Sequence, residues 1–256
     1  MSKETSLHYN EIYYFECDLI NQLSHNLSSI LYHPIVEYIY NPINYAKEVH
    51  INFLEKYCGG PKEILFLGMN PGPWGMLQTG VPFGEVSIVR DWLKVSGIIE
   101  KPVKQHPSRP VSGFKCPRSE VSGKRFWEFA KRISLNNPLN FFRNALIYNY
   151  FPFGLLTKTG KNITPGDFKQ SQQKSIHLAC DEALVKILHH TQIKFIIAIG
   201  RFSERRALSV LKKFSISNIK VIFIPHPSPR NIGSRQNWVE NTIATFTEYN
   251  LTHLFA

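Results

Sequence analysis

The chain has 256 residues, of which 43% are hydrophobic, and carries a formal net charge of +11. A chain of this length and composition can bury a large core, so we expect a single domain over residues 1–256, with a loosely ordered N-terminal extension in residues 1–15. No apolar run approaches the roughly 18 residues that cross a membrane, and the first six residues lack the apolar segment of a signal peptide. We therefore expect a soluble, unexported protein without a membrane contact.

The positive charge is concentrated in two parts of the chain. Residues 101–132 contain nine Lys or Arg against two Glu, and residues 200–240 contain eight against two, whereas residues 1–60 contain three Lys against seven acidic residues. Such clustering predicts attraction to a polyanion, because each neutralised phosphate releases counterions. Solvated helix faces are the alternative explanation of the same charges.

The cysteines lie far apart in the sequence, at Cys17, Cys58, Cys116 and Cys180. Ligands of structural metal ions and iron–sulfur clusters usually come in close pairs, and this chain has none. We expect reduced thiols in an intracellular protein, and a cluster assembled from distant cysteines is the alternative.

In chain order, amphipathic helices are predicted first, within residues 12–57. Four short apolar, β-branched runs predict strands buried on both faces: Ile64–Leu67, Ala145–Tyr150, Phe195–Ile199 and Lys220–Ile224. Helical patterns separate or follow these strands: Glu85–Val95, Gly123–Ile133, Ser175–His190, Ser203–Phe214 and Trp238–Tyr249. Thr164 is expected to cap a helix that begins at Pro165. This alternation predicts an α/β fold with a central, mostly parallel four-stranded sheet between helical layers.

A polar loop follows each predicted strand. In chain order these loops are Gly68-Met69-Asn70-Pro71, Asn149-Tyr150-Phe151-Pro152-Phe153, Gly200-Arg201-Phe202-Ser203 and Pro225-His226-Pro227-Ser228-Pro229-Arg230. Ligands of open α/β sheets bind outside the carboxyl ends of the strands. We therefore expect the loops to converge on one crevice, in which Asn70, Asn149 and His226 face one another.

Several common kinds of active site are absent from the sequence. There is no G-x-S-x-G nucleophile elbow and no His-x-Glu with Pro-Cys-x-x-Cys, which excludes the usual hydrolase elbow and the zinc deaminases. Residues 154–161 resemble a phosphate loop only loosely, because five residues separate the glycines and Asn162 follows instead of Ser or Thr. The crevice is left with amides, one imidazole and aromatic rings.

Four segments of the chain resemble the single-strand-selective monofunctional uracil-DNA glycosylases. They are Gly68–Pro73, Gln78–Val86, Ser119–Trp127 and His226–Asn231, and the resemblance extends, with gaps, from about residue 35 to the C-terminus. It implies one uracil-DNA glycosylase-like domain that hydrolyses the N-glycosidic bond of uracil and of 5-substituted uracils such as 5-hydroxymethyluracil. The substrates would be single- and double-stranded DNA, and the product an abasic site. It also implies a monomer that needs no cofactor and works in the nucleus.

The resemblance assigns the chemistry to Asn70 and His226. Asn70 would position the attacking water, and His226 would donate a hydrogen bond toward the O2 oxygen of uracil, where negative charge develops. An amide is not a useful general base, so Asn70 would orient water toward a sugar that is already cationic. Without the other motifs, the alternative for Asn70 is a structural role as the cap of the turn before Pro71. The alternative for His226 is a structural role as a hydrogen-bonded residue of the turn.

The resemblance assigns recognition of the base to Asn149, Phe83, Gly72 and Met76. One amide can donate to O4 and accept from N3–H of uracil, whereas cytosine presents the reversed pattern. Phe83 would stack on the extruded base, while Gly72 and Met76 would line its floor and the edge that carries the 5-substituent. The missing side chain of Gly72 would leave room for that substituent. Ordinary core packing is the alternative for Phe83 and Met76.

The last of the four segments is expected to contact DNA, through Pro227, Ser228, Pro229, Arg230 and Asn231. With residues 232–238 it would enter the duplex where the base has left, and phosphate contacts from the basic loop 102–125 would offset the cost of unstacking. No lysine lies in the strand-end loops, which disfavours a Schiff-base lyase mechanism.

Two other functions fit parts of the same pattern. A non-catalytic module that binds single-stranded DNA would use the basic and aromatic surface alone. An enzyme of the same fold could act on free nucleosides, although a small neutral substrate gives no reason for the basic loop.

Overall fold

The computed structural model of the protein describes residues 3–26, 35–229 and 237–255. The strands in these ranges are β1 (Tyr38–Tyr40), β2 (Ile64–Gly68), β3 (Ala145–Asn149), β4 (Gly154–Leu156), β5 (Asn162–Ile163), β6 (Phe195–Ile199) and β7 (Lys220–Ile224). The α-helices are α1 (Lys3–Asn26), α2 (Pro42–Tyr45), α3 (Lys47–Tyr57), α4 (Met76–Thr79), α5 (Val121–Ile133), α6 (Pro138–Asn144), α7 (Gln170–Thr191), α8 (Arg201–Lys213) and α9 (Trp238–Glu248). No helix in the described ranges is both long and apolar enough to cross a membrane.

The central sheet has four parallel strands in the order β3-β2-β6-β7. The middle strand β2 is buried throughout, and the rings of Phe126 on α5 and Phe246 on α9 lie 5.3 and 5.9 Å from the ring of Phe66. The predicted α/β class with a four-stranded parallel sheet is therefore confirmed. Parallel pairing brings the carboxyl ends of these strands to one edge, where Gly68 and Asn149 are paired neighbours.

A second sheet, which the sequence did not predict, is antiparallel and has the order β1-β4-β5. The part of the basic loop 102–125 that precedes α5 is hydrogen-bonded to this sheet. The Tyr40 hydroxyl donates to the carbonyl oxygen of Arg109 at 2.9 Å and accepts from the backbone N–H of His106 at 2.7 Å. The Gln78 side chain bonds the same loop on both sides of Val111, through the Pro110 carbonyl at 3.0 Å and the Ser112 N–H at 2.9 Å.

The N-terminal part of the chain differs from the prediction. Residues 3–26 form α1, whose Ile12, Leu19 and Leu23 are buried in the core. The helix is also tied down by polar contacts, since Glu16 pairs with His50 at 2.6 Å and Asp18 with Lys186 of α7 at 2.7 Å. Residues 3–15, expected to form a loosely ordered extension, thus belong to this helix, and Ile12 among them is buried in the core.

Two of the predicted helices form only short helical segments. The pattern Glu85–Val95 forms a short helical segment with a π-helical turn at Ile88–Trp92, and it ends before Lys94, which has a left-handed φ of 52°. Thr164 and Asp167 do form the predicted capping box, but on a single 3-10 turn, Pro165–Asp167, and the long helix α7 begins only at Gln170.

Candidate active site

A cavity of about 470 Å³ opens at the carboxyl edge of the central sheet. Its walls come from the loops after β2, β3 and β7, from the start of α5, and from the β4–β5 hairpin with the basic loop. Asn70, Gly72, Phe83, Asn149, His226 and Ser228 all line it. The structure therefore brings Asn70, Asn149 and His226 together in one crevice, as the sequence predicts.

The loop after β6 is the exception among the four strand-end loops, because none of its described residues lines the cavity. Gly200 instead supports His226 from behind: it has a left-handed φ of 88°, and a Cβ atom at this position would lie 3.2 Å from the His226 Cβ. A side chain here would strain the backbone and press on the histidine, which explains the glycine.

Asn70 lies in the turn that follows β2 and is partly buried. The turn is fixed because backbone hydrogen bonds continue beyond the ends of β2 and β3. The Tyr150 N–H donates to the Gly68 carbonyl at 3.0 Å, and the Phe151 N–H donates to the Met69 carbonyl at 2.9 Å. The Asn70 amide nitrogen donates to the Pro71 carbonyl at 3.2 Å. The amide nitrogen of Asn70 is thus hydrogen-bonded within the turn, and its side-chain oxygen can accept a hydrogen bond from another group.

Asn149 ends β3 and is only 7% exposed. A Cβ atom on Gly68, the paired residue of β2, would lie 2.4 Å from the side-chain oxygen of Asn149. The glycine therefore leaves the space that this amide occupies. The amide nitrogen contacts the Met76 sulfur at 3.1 Å. Met76 itself is buried behind Asn149 and does not line the cavity. Met76 therefore contacts the Asn149 amide from behind, and its part in lining the floor of the base site stays a prediction.

Phe83 forms one aromatic wall of the cavity. Its backbone has a left-handed φ of 54°, a strained conformation for a bulky residue. Helix α5 holds it there, because Trp127 donates to the Phe83 carbonyl at 2.9 Å and the Phe126 ring stacks on it at 4.7 Å with an interplanar angle of 19°. One face of the Phe83 ring is thus covered by Phe126, which leaves the other for a second stacked ring.

Glu120, the residue before α5, brings a carboxyl group into the cavity that the sequence reasoning missed. A Cβ atom on Gly72 would lie 2.0 Å from one of its carboxyl oxygens, and a Cβ on Gly75 would lie 2.0 Å from the other. The space beside Gly72 is therefore not empty, as the prediction assumed, but holds the Glu120 carboxyl group, and a 5-substituent there would meet this group. Burial raises the pKa of Glu120 to about 7.

His226 lies between two prolines directly after β7. Burial lowers its pKa to about 4, so the ring is neutral near pH 7. The backbone N–H of Ser228 donates to Nδ1 at 3.1 Å. Because Nδ1 accepts a hydrogen bond, the proton of the neutral ring lies on Nε2, which is therefore a donor.

The expected DNA-contact segment is only partly described. Pro227 is buried, and its carbonyl accepts from the Arg125 guanidinium at 2.9 Å, so it anchors the segment. Ser228 lines the cavity and Pro229 is exposed. Arg230 and Asn231, with residues 232–236, lie outside the described residues.

The cavity combines a neutral imidazole donor, three amides (Asn70, Asn149 and Asn162), an aromatic face and one carboxyl group. Within the described ranges, no three His, Cys, Asp or Glu side chains come together to hold a metal ion. The arrangement suits a flat heterocycle with hydrogen-bonding groups on its edge.

Comparisons with known proteins agree with this geometry. Residues 55–250 match the sequence model of the uracil DNA glycosylase superfamily. The chain is 43% identical over 217 residues to the single-strand selective monofunctional uracil DNA glycosylase of Mus musculus, covering 85% of this chain and 77% of that protein. Identity to the Bos taurus protein of the same name is 42%, covering 85% and 79%.

A solved structure shows the same fold at low sequence similarity. The crystal structure of SMUG2 from Pedobacter heparinus has a TM-score of 0.64 to this chain at 18% identity, and the match covers 91% of this chain and 98% of that one. With the family match over most of the sequence and the close relatives above, the chain belongs to the single-strand selective monofunctional branch of the uracil DNA glycosylase superfamily.

Proposed function

We propose that the protein is a DNA repair glycosylase that hydrolyses the N-glycosidic bond of uracil in DNA and leaves an abasic site. The observation that carries this proposal is the convergence of Asn70, Phe83, Asn149 and His226 in one cavity. Family membership supports it, because the relatives are named for uracil-DNA glycosylase activity.

Recognition of uracil rests on Asn149 and Phe83. The base would leave the duplex stack and lie on the open face of the Phe83 ring. The Asn149 amide would donate to O4 and accept from N3–H. The amide nitrogen of Asn149 contacts the thioether sulfur of Met76, which is a weak acceptor. Replacing this contact by a hydrogen bond to the O4 oxygen of uracil is therefore favourable. Cytosine would place like groups against the amide and leave buried groups unpaired, at a cost of about 1–3 kcal/mol each.

Departure of the uracil anion rests on His226. A neutral ring with its proton on Nε2 can donate to O2 as negative charge develops there, and it needs no proton from solvent at neutral pH. The prolines on either side and the Ser228 N–H hold the ring in place. Loss of one such fixed donor typically lowers a rate about 10²–10³-fold.

Attack by water rests on Asn70. Its amide nitrogen is engaged by the Pro71 carbonyl, so the side-chain oxygen accepts from a water and aims it at the sugar. The amide does not remove a proton early, which fits a reaction in which the sugar carries positive charge before the water attacks.

We also propose that 5-substituted uracils such as 5-hydroxymethyluracil are accepted. What supports this is the Glu120 carboxyl group beside Gly72, at the wall where the resemblance puts the 5-substituent. The carboxyl group can form a hydrogen bond with the hydroxyl of a 5-hydroxymethyl substituent. The methyl group of thymine forms no such bond and would only remove water from the carboxyl group. The release of 5-hydroxymethyluracil and thymine from otherwise identical oligonucleotides tests this, and equal rates would contradict it.

Both single- and double-stranded DNA are proposed substrates, contacted by the segment that begins at Pro227. The net charge of +11 supports DNA as the partner. A single domain, a monomeric state and residence in the nucleus stay predictions.

The decisive experiment is incubation with a single-stranded oligonucleotide that contains one uracil, in EDTA, followed by measurement of free uracil and of alkali-labile sites. We expect both products, and none from the same oligonucleotide with cytosine. Binding without base release by the folded protein would favour the non-catalytic binding module. Borohydride trapping of a covalent DNA adduct would contradict the monofunctional mechanism.

A further inference from the structure

A small cavity of about 10 Å³ lies beside the amide that is proposed to recognise uracil. Asn149 borders both this small cavity and the large one. All the residues around the small cavity are buried, and three of them are polar: Glu16, Tyr148 and Asn149. One water molecule needs roughly 10–15 Å³, so the volume suits a single water between polar groups.

The Tyr148 hydroxyl needs a partner in this cavity. Tyr148 is only 3% exposed, and none of the described residues forms a hydrogen bond with its hydroxyl. Buried polar groups are nearly always hydrogen-bonded, because a buried group without a partner costs free energy. A water in the small cavity would supply that partner.

Glu16 of α1 brings an acceptor to the same cavity. Nε2 of His50 contacts one of its carboxyl oxygens at 2.6 Å, and among the described residues the other oxygen has no hydrogen bond. Nδ1 of His50 donates to the Gly80 carbonyl at 2.8 Å, so the imidazole is fixed on both sides and holds the carboxyl group in place. Burial and the nearby charge of Glu16 both raise the pKa of Tyr148, which keeps its hydroxyl protonated and able to donate.

The Asn149 amide adds a second donor. Its nitrogen contacts the sulfur of Met76, which also borders the small cavity, whereas its oxygen lies beside Gly68. The nitrogen side of the amide therefore faces the small cavity. An amide nitrogen carries two hydrogens, so one can be donated to the O4 oxygen of uracil and the other to a water.

We propose that one water molecule occupies the small cavity, accepts from the Tyr148 hydroxyl and the Asn149 amide nitrogen, and donates to the Glu16 carboxyl group. A buried water typically makes about three hydrogen bonds, as this one does. The water would fix the orientation of the Asn149 amide. A rotated amide would turn its oxygen toward O4 and its nitrogen toward N3–H, which is the pattern that suits cytosine.

Glu16 and Tyr148 are thus positioning residues, which act on the base through the water and Asn149. The inference rests on the proposed function and extends its specificity to the N-terminal helix. Glu16 lies outside residues 55–250, which match the superfamily model.

Tyr148→Phe tests the water through the sign of its effect on stability. If the hydroxyl bonds a water, the variant loses a buried hydrogen bond, and its urea midpoint should fall. If the hydroxyl has no partner, the variant loses only a buried unpaired group, and the midpoint should rise. A crystal structure of the wild-type protein should show one ordered water within hydrogen-bond distance of Tyr148, Glu16 and Asn149, and its absence would overturn the inference.

Base recognition supplies a second measurement. Single-stranded oligonucleotides would carry one non-hydrolysable 2′-fluoroarabino nucleotide, of uracil or of cytosine, and the ratio of the two Kd values would be measured. We expect Tyr148→Phe to lower the preference for uracil roughly three- to tenfold, the scale of one neutral hydrogen bond. Glu16→Gln keeps an acceptor for the water and should preserve the preference better than Glu16→Leu.

Tyr57→Phe is the matched control. The Tyr57 hydroxyl is also buried and donates to the Leu93 carbonyl at 2.7 Å, but Tyr57 lines neither cavity. This variant should lose stability and keep the preference for uracil. An equal loss of preference in both variants would mean that the effect of Tyr148→Phe comes from stability alone.

The outcomes separate this inference from the proposed function. If wild type releases uracil, but Tyr148→Phe raises the urea midpoint and keeps the preference, the cavity is dry and the inference fails. An ordered water together with an unchanged preference would overturn the positioning role. If wild type releases no uracil, the proposed function fails, and the crystal structure and the sign of the stability change still decide whether the water site exists.

Discussion

Replacing Glu120 by Gln tests whether the cavity contains an unpaired carboxyl group. Burial raises its pKa from the ordinary 4.5 to about 7, so the folded protein holds this proton more tightly than the unfolded chain does. The resulting stability is fully present below pH 4.5 and is lost as the pH rises through about 7. At about 1.36 kcal/mol per pH unit the loss is about 3 kcal/mol, an upper value because the side chain borders the cavity, where solvent screens it.

Glutamine keeps the shape of the side chain and removes its ionisation. We expect Glu120→Gln to unfold in urea with the same free energy as wild type near pH 4.5, and with up to about 3 kcal/mol more at pH 8. The m-value should be unchanged, since the surface exposed on unfolding is the same. Glu128→Gln, at an exposed position of α5, is the control and should differ by less than about 0.5 kcal/mol at either pH. A variant less stable than wild type at pH 8 would mean that the carboxylate has a favourable partner, and would refute the reasoning.

Four further predictions concern the other walls of the cavity and the DNA-contact segment. Asn70→Ala should lower the single-turnover rate roughly 100-fold with little change in Kd for DNA, and a parallel loss of both would argue against water positioning. Asn149→Asp should raise cytosine release relative to uracil release, because a carboxylate accepts from the cytosine amino group. Gly72→Ala should cost about 1–3 kcal/mol in urea unfolding, and less when combined with Glu120→Ala, which removes the colliding carboxyl group. Arg230→Ala should slow base release from duplexes more than from single strands, whereas equal slowing would contradict duplex invasion.

The central sheet could be predicted because its strands are buried on both faces. Strands β2, β3, β6 and β7 begin at the predicted residues and end within one residue of the prediction. A strand covered on both faces is a continuous apolar run, and such runs are short and bounded by turn residues in this chain. The carboxyl ends of parallel strands share one edge, so the placement of Asn70, Asn149 and His226 followed from the same pattern.

The second sheet could not be predicted, because its strands are too short to show a period. Strands β1 and β4 have three residues each and β5 has two, and the pairing joins Tyr38 to Leu156 across almost half of the chain. Contacts so distant in sequence leave no local pattern. Arg109 and Lys161 reach the cavity from the loop bound to this sheet and from its β4–β5 hairpin, so their positions were equally hidden, although their charge was visible.

Glu120 left no signal of its own, because it reaches the cavity from the start of a helix and not from a strand end. Its neighbourhood in the sequence is strongly basic, which suggests a solvent-exposed position rather than a buried acid. The position of Met76 behind Asn149 left no signal in the sequence for a related reason. Its distance along the chain from Asn70 says nothing about which side of Asn149 it contacts, and only the turn of α4 puts it behind that amide.

Charge in and around the cavity is divided in a way that suits DNA glycosidic chemistry. Desolvation favours the neutral form of any buried group, and it acts on both titratable groups inside: it lowers the pKa of His226 to about 4 and raises that of Glu120 to about 7. The His226 ring is therefore neutral at pH 7, and its Nε2 can donate to the leaving group, while the Glu120 carboxyl group is only partly ionised there. The cations Arg109 and Lys161 line the cavity as well, and a DNA strand could neutralise them through its phosphates. Attraction to the polyanion and stabilisation of the departing base are thus supplied by different residues, which explains how a strongly basic surface and a pocket of low charge serve the same reaction.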